Sequence, residues 1–345
     1  MITHKQLLTF LIAIGISTVF SSAQSCFTKT SKTDKNYESA YKSLSTKVDK
    51  ERIKKNVYYL SKDPLPRRVL NWSIPGHSLP SLYEADAWII QQLTSWGYAP
   101  ATDDTKVRAY GRDFSKPVHH QYATPPDDAP WFTAHNIIAG KKGTDYPDEL
   151  IVILAHKDSQ SWIASPGAND NAIGTCGALE LARVLSKYKP KHTIRFIFCN
   201  EEHTPWTSVT AAEAIKAAGL KVLAAINMDG IGVKSPQQEG HLTNVTRFTT
   251  AEGERLADLM DSLNRRYVIG LEQTKYRGDR PNDDDGSFVN AGFPWAVVNI
   301  GSMPYGDENY HLEGDTPEKV DYENAKLTVK LTLAAILHLD AYGRP

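Results

Sequence analysis

The sequence predicts an α/β fold, one domain with a central, mostly parallel mixed β-sheet and helices on both faces. Three observations lead there. From residue 135 onward, short strand-like apolar runs alternate with longer stretches of helical periodicity, the pattern of strands joined by helical crossovers. Several of these runs end in a histidine or a carboxylate, and the carboxyl ends of strands are where an open α/β sheet places its site. Finally, a chain of 345 residues, 41% hydrophobic and 23% charged, is long and apolar enough to bury such a core.

The elements follow in order. Residues 49–60 and 82–96 have helical periodicity, and Leu82, Ala85, Ile89, Leu93 and Trp96 fall on one face of the second. Four prolines between them, Pro64, Pro66, Pro75 and Pro80, make a loop of the intervening stretch. A run with strand propensity follows Gly97, and residues 119–131 form a Pro-rich irregular excursion. Strands are expected over 136–139 and 150–155, joined by the turn KKGTDYPDE. Then come a helix over 172–188, a strand over 193–199, a helix over 208–218 and a strand over 222–228. A helix over 250–267, a helix end over 288–292, a strand over 296–300 and a helix over 322–339 complete the chain.

The amino terminus carries different signals. Residues 1–25 read as an export signal: His4 and Lys5, an apolar run of about 14 residues, then Ser21, Ser22 and Ala23. The run is shorter than the ~20 residues a membrane span needs. Cys26 follows, and residues 26–45 read as a polar Lys/Ser/Thr-rich tether. This resembles a bacterial lipoprotein amino terminus, with Cys26 as the acylated residue, although Ala23-Gln24-Ser25 lacks the usual aliphatic residue. A periplasmic or cell-envelope lipoprotein and a simply secreted protein both stay open. Cys176 and Cys199 fall in helix-like and strand-like segments and read as buried free thiols. A net charge of −1 argues against a nucleic-acid partner.

The chemistry is concentrated after residue 150. His156 and Asp158 follow one strand, Glu201 and Glu202 the next, and Asp229 a third. Asp170 sits in the loop PGANDN, which opens a helix. Each has an ordinary reading by itself: Asx residues cap helices and Asp-Gly makes turns. Their recurrence at successive strand ends is what argues for a site. Carboxylates gathered there repel one another unless cations hold them, so the economical reading is a metal-dependent hydrolase. Asp158 can accept the proton of the second His156 ring nitrogen and fix its tautomer. Of two adjacent glutamates, one can bind metal while its neighbour shuttles a proton. A metal lowers the pKa of a coordinated water from about 15.7 to about 7, and two metals ~3.5–4 Å apart need a bridging carboxylate, for which Asp170 is the candidate. Mixed nitrogen and oxygen ligation suits zinc.

Taken together, HKDS, PGANDNAIG, the Glu201-Glu202 pair, NMDGIG and NYHLEGDTPEKVD resemble the zinc exopeptidases that include bacterial leucyl aminopeptidases. That family also holds some carboxypeptidases and the glutaminyl cyclases. The resemblance runs from about Ile53 to the carboxyl end and implies a zinc peptidase domain over residues 46–345. It implies two zinc ions per chain, with His156, Asp170, Glu202, Asp229 and His311 as ligands, Asp170 as the bridge and Glu201 as general base. Peptides would be the substrates and aminopeptidase action the activity. His311 is assigned by the resemblance alone.

Several positions depart from the family pattern: Lys157, Asn169, the segment His203-Thr204-Pro205-Trp206, and Asp285. None is an expected ligand, so they bear on the substrate pocket. The run Asp283–Asp285 is expected to be a solvated loop, since it lacks an EF-hand pattern. Trp162, Trp206, Trp295 and Tyr305 are candidate pocket walls or plain core. Three alternatives accompany the aminopeptidase reading. A glutaminyl cyclase would use one zinc, and His156 argues against it. A carboxypeptidase or other amidohydrolase would use the same centre. A non-catalytic peptide- or glycan-binding lipoprotein would be expected to have lost ligands, and this chain keeps them.

Overall fold

The computed structural model describes residues 32–302 and 306–345; the export signal, Cys26 and Tyr305 lie outside the described residues. Three helices come first, α1 (Lys32–Ser45), α2 (Lys50–Ser61) and α3 (Ser81–Ser95). Strands β1 (Ala101–Ala109), β2 (Gly111–Arg112), β3 (Tyr122–Ala123), β4 (Phe132–Lys141) and β5 (Tyr146–His156) follow. Next are α4 (Ile173–Leu185), β6 (His192–Cys199), β7 (His203–Thr204), α5 (Thr207–Ala217), β8 (Lys221–Met228) and β9 (Thr243–Phe248). The chain ends with α6 (Ala251–Arg266), β10 (Glu272–Arg277), α7 (Asp283–Ala291), β11 (Ala296–Ile300) and α8 (Tyr322–Tyr342).

Among the described residues nine strands form one sheet, in the order β10-β9-β11-β8-β5-β6-β4-β1-β7. Its centre, β11-β8-β5-β6, is parallel, as the alternation of strands and helices predicts. Towards one edge β4, β1 and β7 pair antiparallel. Towards the other, β9 is antiparallel to β11, and β10 parallels β9. The short link from β4 to β5 crosses the start of β6, which lies between them. Gly143 makes that crossing possible: a Cβ there would fall 2.4 Å from the Lys191 carbonyl oxygen.

Helices cover both faces because β5 is apolar on both. Leu150, Val152 and Leu154 pack with Ala211 and Ile215 of α5 and Phe288 of α7. Ile151, Ile153 and Ala155 belong to the larger core with α2, α3, α4, α6 and α8. Strands buried on two faces read as continuous apolar runs, and this run made β5 easy to find. α2 starts where a side chain can satisfy its first amides: Asp49 accepts from Glu51 and Arg52. No described helix is long and apolar enough to cross a membrane.

Two expectations need correcting. Residues 26–45 are not a tether over their described part, because α1 is a packed helix. Tyr37 and Tyr41, one turn apart, are buried in the core. Tyr41 lies 4.1 Å from the ring of Tyr267, Tyr37 packs edge-on against His338 at 5.8 Å, and the Tyr37 hydroxyl donates to the Ala334 carbonyl at 3.2 Å. The polar average of the segment hides this narrow aromatic stripe. β9 and β10 were also not anticipated. TNVTRF is buried throughout despite its polarity, since its side chains bond internally: Asn244 and Thr246 both donate to Asn299, and Arg247 to Asp283.

If α1 is part of the folded domain, Tyr37→Ala should lower the unfolding free energy by roughly 3 kcal/mol, the usual loss for a buried aromatic. Urea denaturation measures this, and a change under about 0.5 kcal/mol would mean that α1 is dispensable to the fold.

Candidate metal centre

The sheet brings three strand ends together. β5 ends in His156, β8 stops one residue before Asp229, and Glu201 and Glu202 lie just past the end of β6. Parallel neighbours end at the same edge, so all four side chains meet there. Asp170 arrives from the turn at residues 168–172 that leads into α4, and His311 from the loop after β11.

The Asp170 turn is held from three sides. Gly167 enters it at φ +59, where a Cβ would lie 2.5 Å from the Asp170 carbonyl oxygen, so a side chain there is excluded. The buried guanidinium of Arg68 donates to the carbonyls of Lys157 (2.7 Å), Pro166 (2.9 Å), Gly167 (2.8 Å) and Leu60. Asp315, also buried, accepts from the amides of Asn169 (2.8 Å) and Asp170 (3.0 Å). Asn171 then ties the turn to the end of β8. Its amide nitrogen donates to the Met228 carbonyl and its oxygen accepts from Gly230.

Asp170 stands between two imidazoles. Its Oδ1 is 3.0 Å from Nε2 of His156, and its Oδ2 is 3.1 Å from Nε2 of His311. On the far side, Asp229 Oδ1 is 3.5 Å from His156, and Glu202 Oε1 is 3.3 Å from His311. The structure therefore brings together all five expected ligands. Burial alone would depress both imidazole pKa values. The carboxylates outweigh it, Asp229 foremost at His156 and Glu202 foremost at His311, and hold both well above the ordinary value. Burial likewise pushes Asp170 up, but the two histidines prevail and keep it below the usual carboxylate range.

Asp158 plays a larger part than expected. Its carboxylate accepts from the main-chain amides of Glu201 (3.0 Å) and Glu202 (2.9 Å) and bonds Nδ1 of His203 (2.8 Å). Nδ1 of His156 lies nearer the Asp158 main-chain carbonyl, at 3.2 Å, than its carboxylate, at 3.4 Å. The expected orientation of His156 is thus supplied mainly by backbone, and the carboxylate positions the two glutamates. His311 is oriented in the same way: its Nδ1 bonds the His119 carbonyl at 2.8 Å, leaving Nε2 to face Asp170 and Glu202.

Glu201 faces a pocket whose aromatic walls are Tyr110, Tyr122, Trp206 and Tyr310, and which Glu202 and His311 also line. Burial, with the carboxylates of Asp284 and Asp283, pushes the Glu201 carboxyl well above its ordinary value. One oxygen of Glu201 is buried without a hydrogen-bond partner. Asp283, Asp284 and Asp285 are all buried at the start of α7, which corrects the solvated-loop expectation. Asp283 pairs with Arg247 at 2.6 Å and Asp284 accepts from the Cys199 thiol at 3.0 Å, while one oxygen each of Asp284 and Asp285 is buried without a hydrogen-bond partner.

The other departures divide. Trp206 does line the pocket, its indole N–H donating to Tyr110 at 3.1 Å, and Trp162 packs 6.0 Å from the His311 ring. Lys157 is fully buried and points away, bonding Asp86 (2.7 Å) and Asn200 (2.8 Å). His203 is a buried anchor, and Trp295 lies in the core at the start of β11, away from the site. Cys176 and Cys199 are buried free thiols, as expected. Sequence reasoning missed Arg68, Gln160 and Asp315, and it met Asp284 only as part of the run Asp283–Asp285. Of the three missed, only Asp315 had a signal, its place in GDTP four residues after His311.

The donor set fits metal ions. Two groups each keep their ligand atoms within 4.8 Å of one another, His156 with Glu201 and Asp229, and His156 with Asp170 and Glu202. Imidazole nitrogen and carboxylate oxygen together suit zinc-type ions.

The sequence model of peptidase family M28 matches residues 136–336, which spans β4 to α8 and every residue of the centre. The chain belongs to peptidase family M28. A probable zinc metalloprotease of Pyrenophora tritici-repentis is 32% identical over 52% of this chain and 42% of its own length. The chain spans about half the length of the curated relatives it matches. Among solved structures, an aminopeptidase from Aneurinibacillus sp. strain AM-1 aligns at TM-score 0.63 and 19% identity, covering 88% of this chain and 96% of the other. A glutaminyl cyclase from Bacteroides thetaiotaomicron aligns at TM-score 0.63 and 18% identity, covering 84% and 97%. At these identities the two establish a shared fold.

Replacing Asp158 by Ala would leave two buried amides unsatisfied. Asp158→Ala should cost roughly 2–6 kcal/mol of stability, read by denaturation of metal-free protein. A loss below ~1 kcal/mol would show that the carboxylate does not hold the glutamate segment.

Proposed function

We propose that this M28 protein is a zinc-dependent exopeptidase that releases amino-terminal residues from peptides, with two zinc ions sharing Asp170. The observation that carries the reading is the double aspect of Asp170, whose two oxygens face two different histidines at 3.0 and 3.1 Å. His156, Asp170 and Asp229 would hold one ion, and Asp170, Glu202 and His311 the other. The family, the probable zinc metalloprotease among the relatives and the aminopeptidase sharing the fold support it.

Bound zinc would supply Lewis acidity towards the peptide carbonyl and acidify a water molecule. The chain's own residues supply the rest. Glu201 projects into the pocket beside the ligands and would take the proton of the attacking water, then return it to the departing amine. Asp158 keeps Glu201 and Glu202 in register through their main-chain amides. The aromatic walls would receive the side chain of the released residue and exclude water.

Glu201 also falls within ligand reach of His156 and Asp229, so a pair of variants separates the two glutamates. Glu201→Gln should lower turnover by ~10²–10⁴ with metal content unchanged. Glu202→Gln should lose metal along with activity, and Asp170→Ala should lose both ions by elemental analysis. Near-normal turnover in Glu201→Gln, or metal loss equal to that of Glu202→Gln, would reverse the assignment. The shared fold of the glutaminyl cyclase favours that activity as a second reading. Peptides with free, blocked and glutaminyl amino termini divide the two: hydrolysis only of free-amine peptides fits aminopeptidase action, and ring closure of the glutaminyl peptide contradicts it.

We also propose that the protein acts outside the cytoplasm, exported by residues 1–25 and then either anchored through an acylated Cys26 or simply secreted. The support is the sequence alone. In the anchored case Cys26→Ser should shift the protein from the membrane to the soluble fraction, and unchanged membrane association would refute the anchor.

A further inference from the structure

Gln160 follows β5 by four residues and is fully buried, and neither the resemblance nor the chemistry above gives it a role. Its amide nitrogen is 2.6 Å from Asp170 Oδ2 and 3.4 Å from Glu202 Oε1. It therefore touches the two carboxylates that flank His311. The orientation is dictated by charge. An amide turned the other way would press its oxygen against two carboxylates, whereas two N–H donors can serve both at once. The oxygen Oε1 is left buried without a hydrogen-bond partner. A buried acceptor in that state is unfavourable, and an apolar residue of the same length would avoid it. The gain that offsets it has to lie at the nitrogen.

We propose that Gln160 is a positioning residue for the ion held by Asp170, Glu202 and His311. A carboxylate oxygen has two lone pairs, so Asp170 Oδ2 can accept from Gln160 and still face the His311 side. The amide supplies a neutral donor between two like charges and holds the bridging and terminal carboxylates at a separation one ion can span. Asp170 is shared by both ions, but Glu202 serves this one alone, so the ion on the His311 side should feel the loss of the amide more than the other. This rests on the two-ion reading above.

The test is a graded chelator titration of zinc-loaded protein, with zinc counted at each step, for the parent and Gln160→Met, which keeps length and removes both polar atoms. Two ions in the parent are expected. In Gln160→Met one ion should leave at ~10–100-fold lower chelator, the usual effect of removing a partner of a ligand, while the other shifts clearly less. Gln160→Ala, where water can enter, carries the same expectation should the Met variant not fold. Unchanged release of both ions, or an equal shift of both, would overturn the role of Gln160 while leaving two ions standing. A parent that binds one ion would overturn the two-ion reading itself, and the proposal with it.

Discussion

Four carboxylates and two imidazoles meet at one edge of the sheet with almost no solvent, and like charges at such distances separate unless something fixed opposes them. What opposes them in the folded chain is a frame of buried hydrogen bonds. Asp158 takes the amides of Glu201 and Glu202, and Asp315 takes those of Asn169 and Asp170. Arg68 gathers carbonyls from both the β5 end and the Asp170 turn. Burial lowers its pKa to about 10, which still leaves it charged at neutral pH. The frame is made of protein groups alone and holds the ligand-bearing segments in mutual register.

The pocket is built differently. Its walls come from outside the main sheet: Tyr110 and Tyr122, the latter on the two-residue strand β3, from the excursion between β1 and β4, Trp206 from the entry to α5, and Tyr310 from the segment after β11. Binding residues carried on loops above a rigid sheet can change without disturbing the core. Here one wall is coupled to the centre. His119 bonds the Tyr310 carbonyl through its ring, and its own carbonyl accepts from His311. The loop that shapes the pocket thereby fixes the ring of an expected ligand.

Much of this was legible in the sequence because strand ends and charges are both local signals. His156, Asp170, Glu202 and Asp229 stand out once three successive strands are recognised, and His311 needed the family resemblance. The frame was less legible. Asp158 looked like a partner for His156, and its bonds to the amides of Glu201 and Glu202 bridge 43 and 44 residues, beyond any spacing rule. Arg68 had no local pattern, and its buried state follows only from four carbonyls brought together by the fold. Polarity misled twice. It hid the Tyr37 and Tyr41 stripe of α1, and it made Asp283–Asp285 look solvated although all three are buried at the start of α7.

The central claim is that Asp170 bridges two ions. Crystals of the zinc-loaded protein measured at the zinc absorption edge would test it most directly. The account predicts two anomalous peaks ~3.5–4 Å apart, one beside His156 and Asp229, the other beside Glu202 and His311, with Asp170 between them. A single peak at full zinc loading, or two peaks with Asp170 bound to only one, would contradict it.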